Sequence, residues 1–369
     1  MLNNNFNIAN LPEIPQKAVK DYQNKIDSLT AFVNDKLSNN ENIDNLIGDN
    51  PIEKMFENHE NHAYFMINVF LLNEYNLLIS TIPWVYDTYI NHGFSYDYFV
   101  VELKTWMQAV EKYLKPENAS LINEIYSFML ENHQKFIETS KNENQNKIKI
   151  PDKYKKIYSS YVEGLIAGNH KICFQIIKEK VTSKNDVKNF FENILKPAMY
   201  KVGTKWENKD ISVAEEHLAS SIASRGLSTI YSKFATWDTS SKKATITAVA
   251  NEFHEIGSRI IADSLEFEGW TVDHLGVNTP VPDLIDFLLE KKPFLVGLSV
   301  AVPFNLKNAV KTIEKIKFHP ELKDIKIMIG GKVFNDVPDL WRKTGADAHA
   351  KNTDQAIKIA EKWWQSREV

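Results

Sequence analysis

The chain has 369 residues, 43% of them apolar and 25% charged, which is enough apolar material for two or three packed domains. Its net charge of -4 gives no global reason to bind nucleic acid. Cys173 is the only cysteine, which excludes an intrachain disulfide and a thiolate metal cluster. No long apolar run or signal-like N-terminus occurs, so we expect a cytoplasmic protein that does not enter a membrane.

Residues 1–150 are predicted to form an all-helical domain, because apolar residues recur with helical spacing from about Ile14 to Glu138 and strand patterns are scarce. Runs such as Tyr64–Tyr75 and Asn76–Tyr89 have this spacing. Breaks between helices are expected at 48–51, 92–93 and 115–116. The polar run Thr139–Lys149 has few apolar anchors and predicts a linker.

Residues 151–240 are predicted to form a helical bundle of four or five helices. Two of these are expected within Asp186–Val202 and Ser212–Phe234. The polar stretch Thr236–Lys243 then ends the bundle.

Residues 241–369 alternate between strand and helix patterns. Strands are predicted at Ala244–Val249, Thr271–Leu275, Phe294–Val300, Lys326–Ile329 and Ala348–Lys351. Helices are predicted at Gly257–Glu268, Val281–Lys291, Leu306–Ile316 and Asp354–Gln365. Strict alternation predicts a doubly wound parallel sheet, so the whole chain is expected to be an α/β multidomain protein.

Several small or polar residues lie where these strands end, at the edge where such sheets bind ligands. His254 follows the first strand, Ser299 ends the third, and Gly330-Gly331 follows the fourth. Taken alone, each has an ordinary structural explanation. His254 could be a surface residue, Ser299 could cap a helix, and Gly330-Gly331 could form a tight turn. The Gly-x-Gly-x-x-Gly fingerprint is missing after the first strand, which argues against a dinucleotide.

The stretch Ala244–Val369 resembles the cobalamin-binding domain of methionine synthase and corrinoid-dependent mutases, whose signature is Asp-x-His-x-x-Gly, then Ser-x-Leu, then Gly-Gly. The matching residues here are Glu252, His254, Gly257, Ser299, Gly330 and Gly331. Glu252 stands in place of the Asp, and Ala301 in place of the Leu. The resemblance implies a Rossmann-like cobalamin-binding fold in which His254 is the lower axial ligand of cobalt and Glu252 fixes its tautomer.

The bundle carries a second motif, Trp206-x9-Glu216-His217. It is similar to the helical cap of light-sensing, adenosylcobalamin-dependent regulators, which implies that Trp206, Glu216 and His217 cover the 5'-deoxyadenosyl group. A buried helical Trp with an incidental Glu-His pair is the alternative explanation. Glu207 follows the Trp where the light-responsive repressors have a histidine that takes the upper cobalt position after photolysis. The upper ligand after photolysis is therefore left open, with water or His217 as candidates.

The aromatic N-terminal segment completes a resemblance to photocobilins, which bind adenosylcobalamin and biliverdin. Without cysteine in this segment, a bilin would bind noncovalently. The segment also contains no arginine and no basic recognition helix, so no nucleic-acid partner is expected. Residues expected to line a bilin pocket, unless they simply form the core, are His59, His62, Trp84, Tyr86, Tyr89 and Trp106.

The function that these resemblances imply is a non-enzymatic light sensor. Adenosylcobalamin would be bound with His254 below cobalt, biliverdin would be a second chromophore, and photolysis would change domain arrangement or homo-oligomer assembly. One alternative is a corrinoid carrier protein for methyl transfer. Another is a structural ligand-binding adaptor in which His254 is incidental. The downstream partner cannot be read from the sequence.

Overall fold

The computed structural model describes residues 6–143, 149–235 and 240–367. The chain divides into two compact units, residues 1–147 and 148–369. The predicted domain boundaries near residues 150 and 240 stay predictions. Among the described residues, no helix is long and apolar enough to cross a membrane.

The first unit is helical throughout its described part. Its helices are α1 Gln16–Asn24, α2 Ile26–Ser38, α3 Ile43–Ile47, α4 Ile52–Leu72, α5 Asn76–Asn91, α6 Tyr96–Tyr113, α7 Pro116–Glu131 and α8 His133–Glu143. Fully buried aromatic side chains fill the centre of this unit, among them Tyr22, Phe70, Trp106 and Tyr126. Burial of such large side chains is the main source of stability in a domain of this kind.

The predicted linker at 139–149 is wrong in its first part, because α8 continues to Glu143. Phe136 and Ile137 are buried and anchor this helix, and Ser140 is buried with them. One apolar turn is sufficient here, since the polar residues that follow include good helix formers. Residues 144–148 lie outside the described part.

The second unit begins with a helical bundle. Its helices are α9 Asp152–Ile166, α10 His170–Lys180, α11 Lys184–Phe190, α12 Lys196–Glu207 and α13 Val213–Phe234, and a π-helical turn at Phe191–Leu195 joins α11 to α12. Capping boxes at Ser183 and Ser212 start α11 and α13, because each serine and the acidic residue three positions later satisfy free backbone N–H groups reciprocally.

A parallel sheet and its helices follow. Their bounds are β1 Lys243–Ala248, α14 Glu255–Phe267, β2 Thr271–His274, α15 Val281–Lys291, β3 Leu295–Ser299, α16 Leu306–Phe318, β4 Lys326–Gly330, α17 Lys332–Asp336, β5 Ala348–His349 and α18 Thr353–Gln365. The strand order is β2-β1-β3-β4-β5, and every described pair is parallel. The predicted fold class is confirmed: a helical N-terminal region, a helical bundle and a doubly wound parallel sheet.

This strand order places a topological switch point between β1 and β3, where chain connections leave in opposite directions and open a crevice. Two segments flank that crevice: the β1 loop, defined as residues 249–254, and the β3 loop, defined as residues 300–305.

The bundle and the first crossover helix of the sheet contribute side chains to one apolar core. Ile260 and Phe267 of α14 are buried in the same cluster as the bundle residues. Polar contacts add to this, because Arg259 donates hydrogen bonds to Ser224 Oγ at 2.9 Å and to Ser228 Oγ at 2.8 Å on α13. The bundle is therefore packed directly on the first crossover helix of the sheet.

Candidate functional site

The β1 loop is held in place by asparagine side chains from other segments. Asn305 Nδ2 donates to the carbonyl of Asn251 at 3.0 Å, and Asn308 Nδ2 donates to the carbonyl of Ala250 at 2.7 Å. The side chain of Asn278 accepts the N–H of Asn251 at 2.8 Å. Asn251 itself has a φ of 65°, a left-handed conformation that asparagine tolerates well. We call Asn278, Asn305 and Asn308 the asparagine clamp.

Glu252 is a buried carboxylate within this loop, and five donors bond to it, including the backbone N–H of His254, which donates to Oε1 at 3.2 Å. Its Oε1 accepts from Nδ1 of His254. Its Oε2 accepts from the backbone N–H groups of Ala301 at 2.8 Å and Val302 at 3.2 Å, and from Nδ2 of Asn305 at 3.1 Å. Burial opposes ionisation, yet these bonds together hold the pKa of Glu252 below its ordinary value. The carboxylate is therefore charged and has donors on both oxygens.

His254 presents its imidazole outward from this anchor. Its hydrogen bond to Glu252 raises the pKa of the imidazole against the opposing effect of burial, and the charge of Glu216 on α13 adds to the rise. The side chain is 64% exposed, and its Nε2 has no hydrogen-bond partner among the described residues. When Nδ1 carries the proton, Nε2 is a free lone pair directed away from the carboxylate, which is the arrangement of metal-binding histidines.

The ends of β3 and β4 form a narrow edge beside the β1 loop. Ser299 is paired in register with Ala248 on one side and Gly330 on the other. Gly331 has a φ of +119°, and a Cβ there would lie 1.9 Å from the carbonyl oxygen of Val300. Only glycine fits at this position, so the two strand ends approach each other more closely than side chains would allow.

The residues of the bundle motif lie on α12 and α13. Trp206 is half-buried against the bundle core, and Glu207 beside it is half-buried as well. Glu216 accepts hydrogen bonds from Ser220 Oγ at 2.7 Å and from Nδ1 of His217 at 2.7 Å, and it acts electrostatically on His254. The imidazole of His217 is 74% exposed. Glu216 is thus the motif residue for which the structure records an interaction with the sheet-edge histidine.

Sequence reasoning identified Glu252 and His254 but missed the groups that hold Glu252. These are Asn305 and the two backbone N–H groups of the β3 loop. A signal was available, since β1 and β3 were predicted strands whose following loops meet at one edge. Gly257, named from the signature, lies in the first turn of α14 with open space around it, so a side chain there would meet no steric barrier.

A corrinoid fits this donor set. Among the described residues, no group of three or more His, Cys, Asp or Glu side chains could hold a metal ion. A single imidazole with a free Nε2 is sufficient only for a metal that arrives with its own equatorial ligands, as cobalt does in a corrin. The close strand ends at Ser299, Gly330 and Gly331 provide a backbone-lined edge for the rest of such a molecule.

The residues named for a bilin pocket lie in the first unit. His59 and Trp106 are fully buried, and Nδ1 of His59 contacts Oδ1 of Asn34 at 2.5 Å. The ring of His62 stacks on Trp106, with ring centroids 5.1 Å apart. The ring of Tyr86 stacks on Phe99 at 3.9 Å.

Tyr89 and Trp84 on α5 are half-buried, and the ring of Tyr89 lies 5.4 Å from that of Phe99. The structure thus records side-chain packing for most of this set, and bilin binding stays a prediction.

Comparison with known families identifies the second unit. Residues 242–358 match the model of the B12 binding domain, and residues 157–231 match a second model with the same description. The chain therefore contains B12-binding domains. The cobalamin part of the predicted resemblance is confirmed.

Its relatives are corrinoid proteins. The dimethylamine corrinoid protein 1 of Methanosarcina acetivorans is 25% identical over 185 residues, which are 49% of this chain and 85% of that protein. The trimethylamine corrinoid protein of Methanosarcina barkeri is 22% identical over 206 residues, which are 55% of this chain and 94% of that protein. The solved monomethylamine corrinoid protein of Methanosarcina barkeri is 20% identical, with a TM-score of 0.49, and the match covers 56% of this chain and 98% of that one.

The light-sensor function expected from the sequence is wrong, since these relatives are methylamine corrinoid proteins. The expectation rested on Trp206 and Glu216, but a broad apolar wall and a carboxylate can cover any upper ligand of a corrin. The motif therefore does not distinguish a photoreceptor from another corrinoid protein. The expected photolysis, signalling and light-dependent assembly are corrected with it.

Proposed function

We propose that the second unit is a corrinoid carrier that shuttles methyl groups between partner methyltransferases. The observation that carries this proposal is the outward Nε2 of His254, held by the buried carboxylate of Glu252. The names of the relatives support methyl transfer, because they are corrinoid proteins of methylamines. The partners and the methyl source of this chain belong to the proposal.

Within this proposal, Glu252 controls the proton on His254. Its Oε1 keeps that proton on Nδ1, so that Nε2 would be available to hold the cobalt of a bound corrinoid. Three donors to Oε2 keep the carboxylate charged, which increases the electron density that the imidazole offers to the metal. When bound, the corrinoid supplies a cobalt centre that can accept and release a methyl group.

The bundle is proposed to cover the upper face. Trp206 contributes an apolar wall, and Glu216 and His217 place polar groups beside it. In this proposal the group that the cofactor would carry is methyl rather than the adenosyl group expected from the sequence. The side chains then exclude water from a small apolar ligand, and the carrier needs no biliverdin for its function. The chain itself is proposed to catalyse no reaction without a partner.

The first test concerns the lower ligand. The full chain is loaded with cobinamide, a corrinoid without the nucleotide base, and reduced to the cobalt(II) state, whose electron paramagnetic resonance spectrum then reports nitrogen supplied by the protein. We expect nitrogen coupling in the wild type and its loss in His254→Ala. His217→Ala is the matched control, because that imidazole is also exposed but lies on the bundle. Equal coupling in His254→Ala would reject His254 as the ligand.

The second test concerns the carrier function. The loaded protein is reduced to the cobalt(I) state with titanium(III) citrate and treated with 13C-methyl iodide, from which it takes the methyl group with release of iodide. Excess reagent is removed by gel filtration, and a thiolate is then added to accept the methyl group. We expect close to one labelled thioether per protein, formed in the dark. If no label is retained after gel filtration, or none is released to the thiolate, the carrier proposal fails.

A further inference from the structure

A second polar cleft lies on the flank of the sheet, between α13, α14 and the edge strand β2. It has a volume of about 210 Å³, roughly seven times the volume that one water molecule occupies in the liquid. Side chains one to two turns apart on α14 provide most of its wall, and Tyr231 and His274 complete it. The α14 residues are Glu255, Arg259, Ala262, Asp263 and Glu266.

Acidic side chains outnumber basic ones in this cleft. Three carboxyl groups, those of Glu255, Asp263 and Glu266, line it with one guanidinium, that of Arg259. The guanidinium already donates hydrogen bonds to two serines on α13. Burial also lowers the pKa of His274, so its imidazole is neutral near pH 7 and does not offset the carboxylates.

Asp263 is the residue that indicates a ligand. It is only 7% exposed, it lines the cleft, and its Oδ2 is buried with no hydrogen-bond partner among the described residues. A buried carboxylate oxygen without a donor is costly, and native structures rarely leave one in that state. Burial is also the main reason that the pKa of Asp263 rises to about 7. A cationic hydrogen-bond donor in the cleft would remove this cost.

We propose that this cleft binds a small primary alkylammonium ion, with an N–H group donating to the carboxylate of Asp263. An ammonium fits better than a metal ion, because no three His, Cys, Asp or Glu side chains of the described residues are arranged to hold one. It supplies positive charge and a directed donor to Asp263, whereas Glu266 already accepts hydrogen bonds from Tyr231 and from the backbone N–H of Val272. The cleft has room for a short alkyl chain beside Ala262 and Val272. This site is separate from the corrinoid site and does not depend on the carrier proposal.

The test is calorimetric titration of the full chain with n-butylammonium chloride at constant ionic strength. Tetramethylammonium chloride is the matched probe, because it has the same charge but no N–H donor. We expect saturable binding of n-butylammonium, and at least about tenfold weaker binding of tetramethylammonium.

Asp263→Asn keeps the side-chain size and removes the charge, and we expect it to weaken n-butylammonium binding at least about tenfold. Asp286→Asn, which removes an exposed carboxylate from α15, should bind as the wild type does. Circular dichroism of each variant checks that it is folded. If Asp263→Asn is unfolded, Asp263→Glu replaces it, and displacement of the lengthened carboxylate should likewise weaken binding.

Three results would overturn the proposal. They are the absence of saturable binding to the wild type, undiminished binding to a folded Asp263 variant, and equal binding of tetramethylammonium or potassium, which would indicate charge screening alone.

Discussion

Glu252 and His254 form a hydrogen bond in which the acceptor oxygen belongs to a carboxylate that is itself fully buried. The exposed imidazole is thereby tied to the interior of the sheet domain. Its orientation is set by a group that the solvent does not reach.

Replacing Glu252 by Gln should lower the pKa of His254, because the hydrogen bond to the carboxylate is the largest cause of its rise. NMR titration of 13C-labelled histidine in the cobalamin-free protein measures this change. We also expect cobalamin affinity to fall by about 10- to 100-fold, the usual effect of removing the partner of a ligating histidine. Glu314→Gln, at an exposed carboxylate on α16, is the control. An unchanged pKa of His254 would contradict the role given to Glu252.

Replacing Gly331 by Ala should destabilise the second unit by about 3 kcal/mol or more, because the new Cβ meets the backbone of Val300 in a left-handed conformation. Gly269→Ala is the matched control, since its φ is +85° but its surroundings are open. There we expect only the conformational cost of about 1–2 kcal/mol. Urea denaturation measures the free energy of unfolding of both variants. Similar losses in the two would show that the contact with Val300 adds nothing to the cost of a side chain at Gly331.

Replacing Asn305 by Ala should cost about 2–3 kcal/mol of unfolding free energy, because a buried carboxylate and a loop carbonyl both lose a donor. Asn308→Ala removes a single bond to the carbonyl of Ala250 and should cost about 1 kcal/mol. Chemical denaturation compares the two. If Asn308→Ala is the more damaging variant, Asn305 is not the centre of the asparagine clamp.

Glu102 should make the first unit less stable as the pH rises. Burial raises its pKa to about 8, and Nε1 of Trp106 donates to it at 3.2 Å. Between the ordinary pKa of a glutamate and this value, the folded state holds a proton that the unfolded state has released. His59 and His62 act in the opposite direction below about pH 6.5, because burial lowers the pKa of each imidazole to about 3 and the unfolded state then binds more protons. The fall in stability from Glu102, up to about 1.4 kcal/mol for each pH unit, is therefore expected between about pH 7 and 8, and it should level off above that range.

Hydrogen exchange of the α6 amides between about pH 7 and 9, corrected for the intrinsic exchange rate, measures this slope. Glu102→Gln should remove it, while Glu60→Gln, at an exposed position on α4, should preserve it. A slope that persists in Glu102→Gln would assign the effect to another group.

The sheet was predictable because its three central strands, β1, β3 and β4, are short and largely buried apolar runs, which is how strands covered on both faces appear in a sequence. The pairing of Glu252 with His254 was also predictable, because the two residues are close in sequence and lie on one loop. The sequence placed the loops after β1 and β3 at one edge of the sheet, but it did not identify Asn305, which meets Glu252 across 53 positions of the chain. Which side chain of the second loop reaches Glu252 depends on the pairing of β1 with β3 and on the path of the loop, and neither is local information.

The function was harder to predict than the fold. Trp206 and Glu216 occur in a bundle that matches a model of the B12 binding domain, and the same side chains are compatible with several upper ligands. Their spacing therefore identified the cofactor class but not its use. The continuation of α8 to Glu143 was missed for a related reason, because helical polar residues and linker residues have similar composition.

The burial of Ile260 and Phe267 within the bundle core sets a limit on how often the bundle and the sheet separate. Exposing these two side chains to water would alone cost about 3–6 kcal/mol, so spontaneous full separation would occur in no more than roughly one molecule in 150 to one in 25,000. In the proposed carrier, a methyltransferase partner that requires this separation would supply the difference from its own binding energy. The resting protein would then protect the carried methyl group because its closed state is by far the more populated one. Only a partner that binds the open state more tightly than the closed state would reach that group.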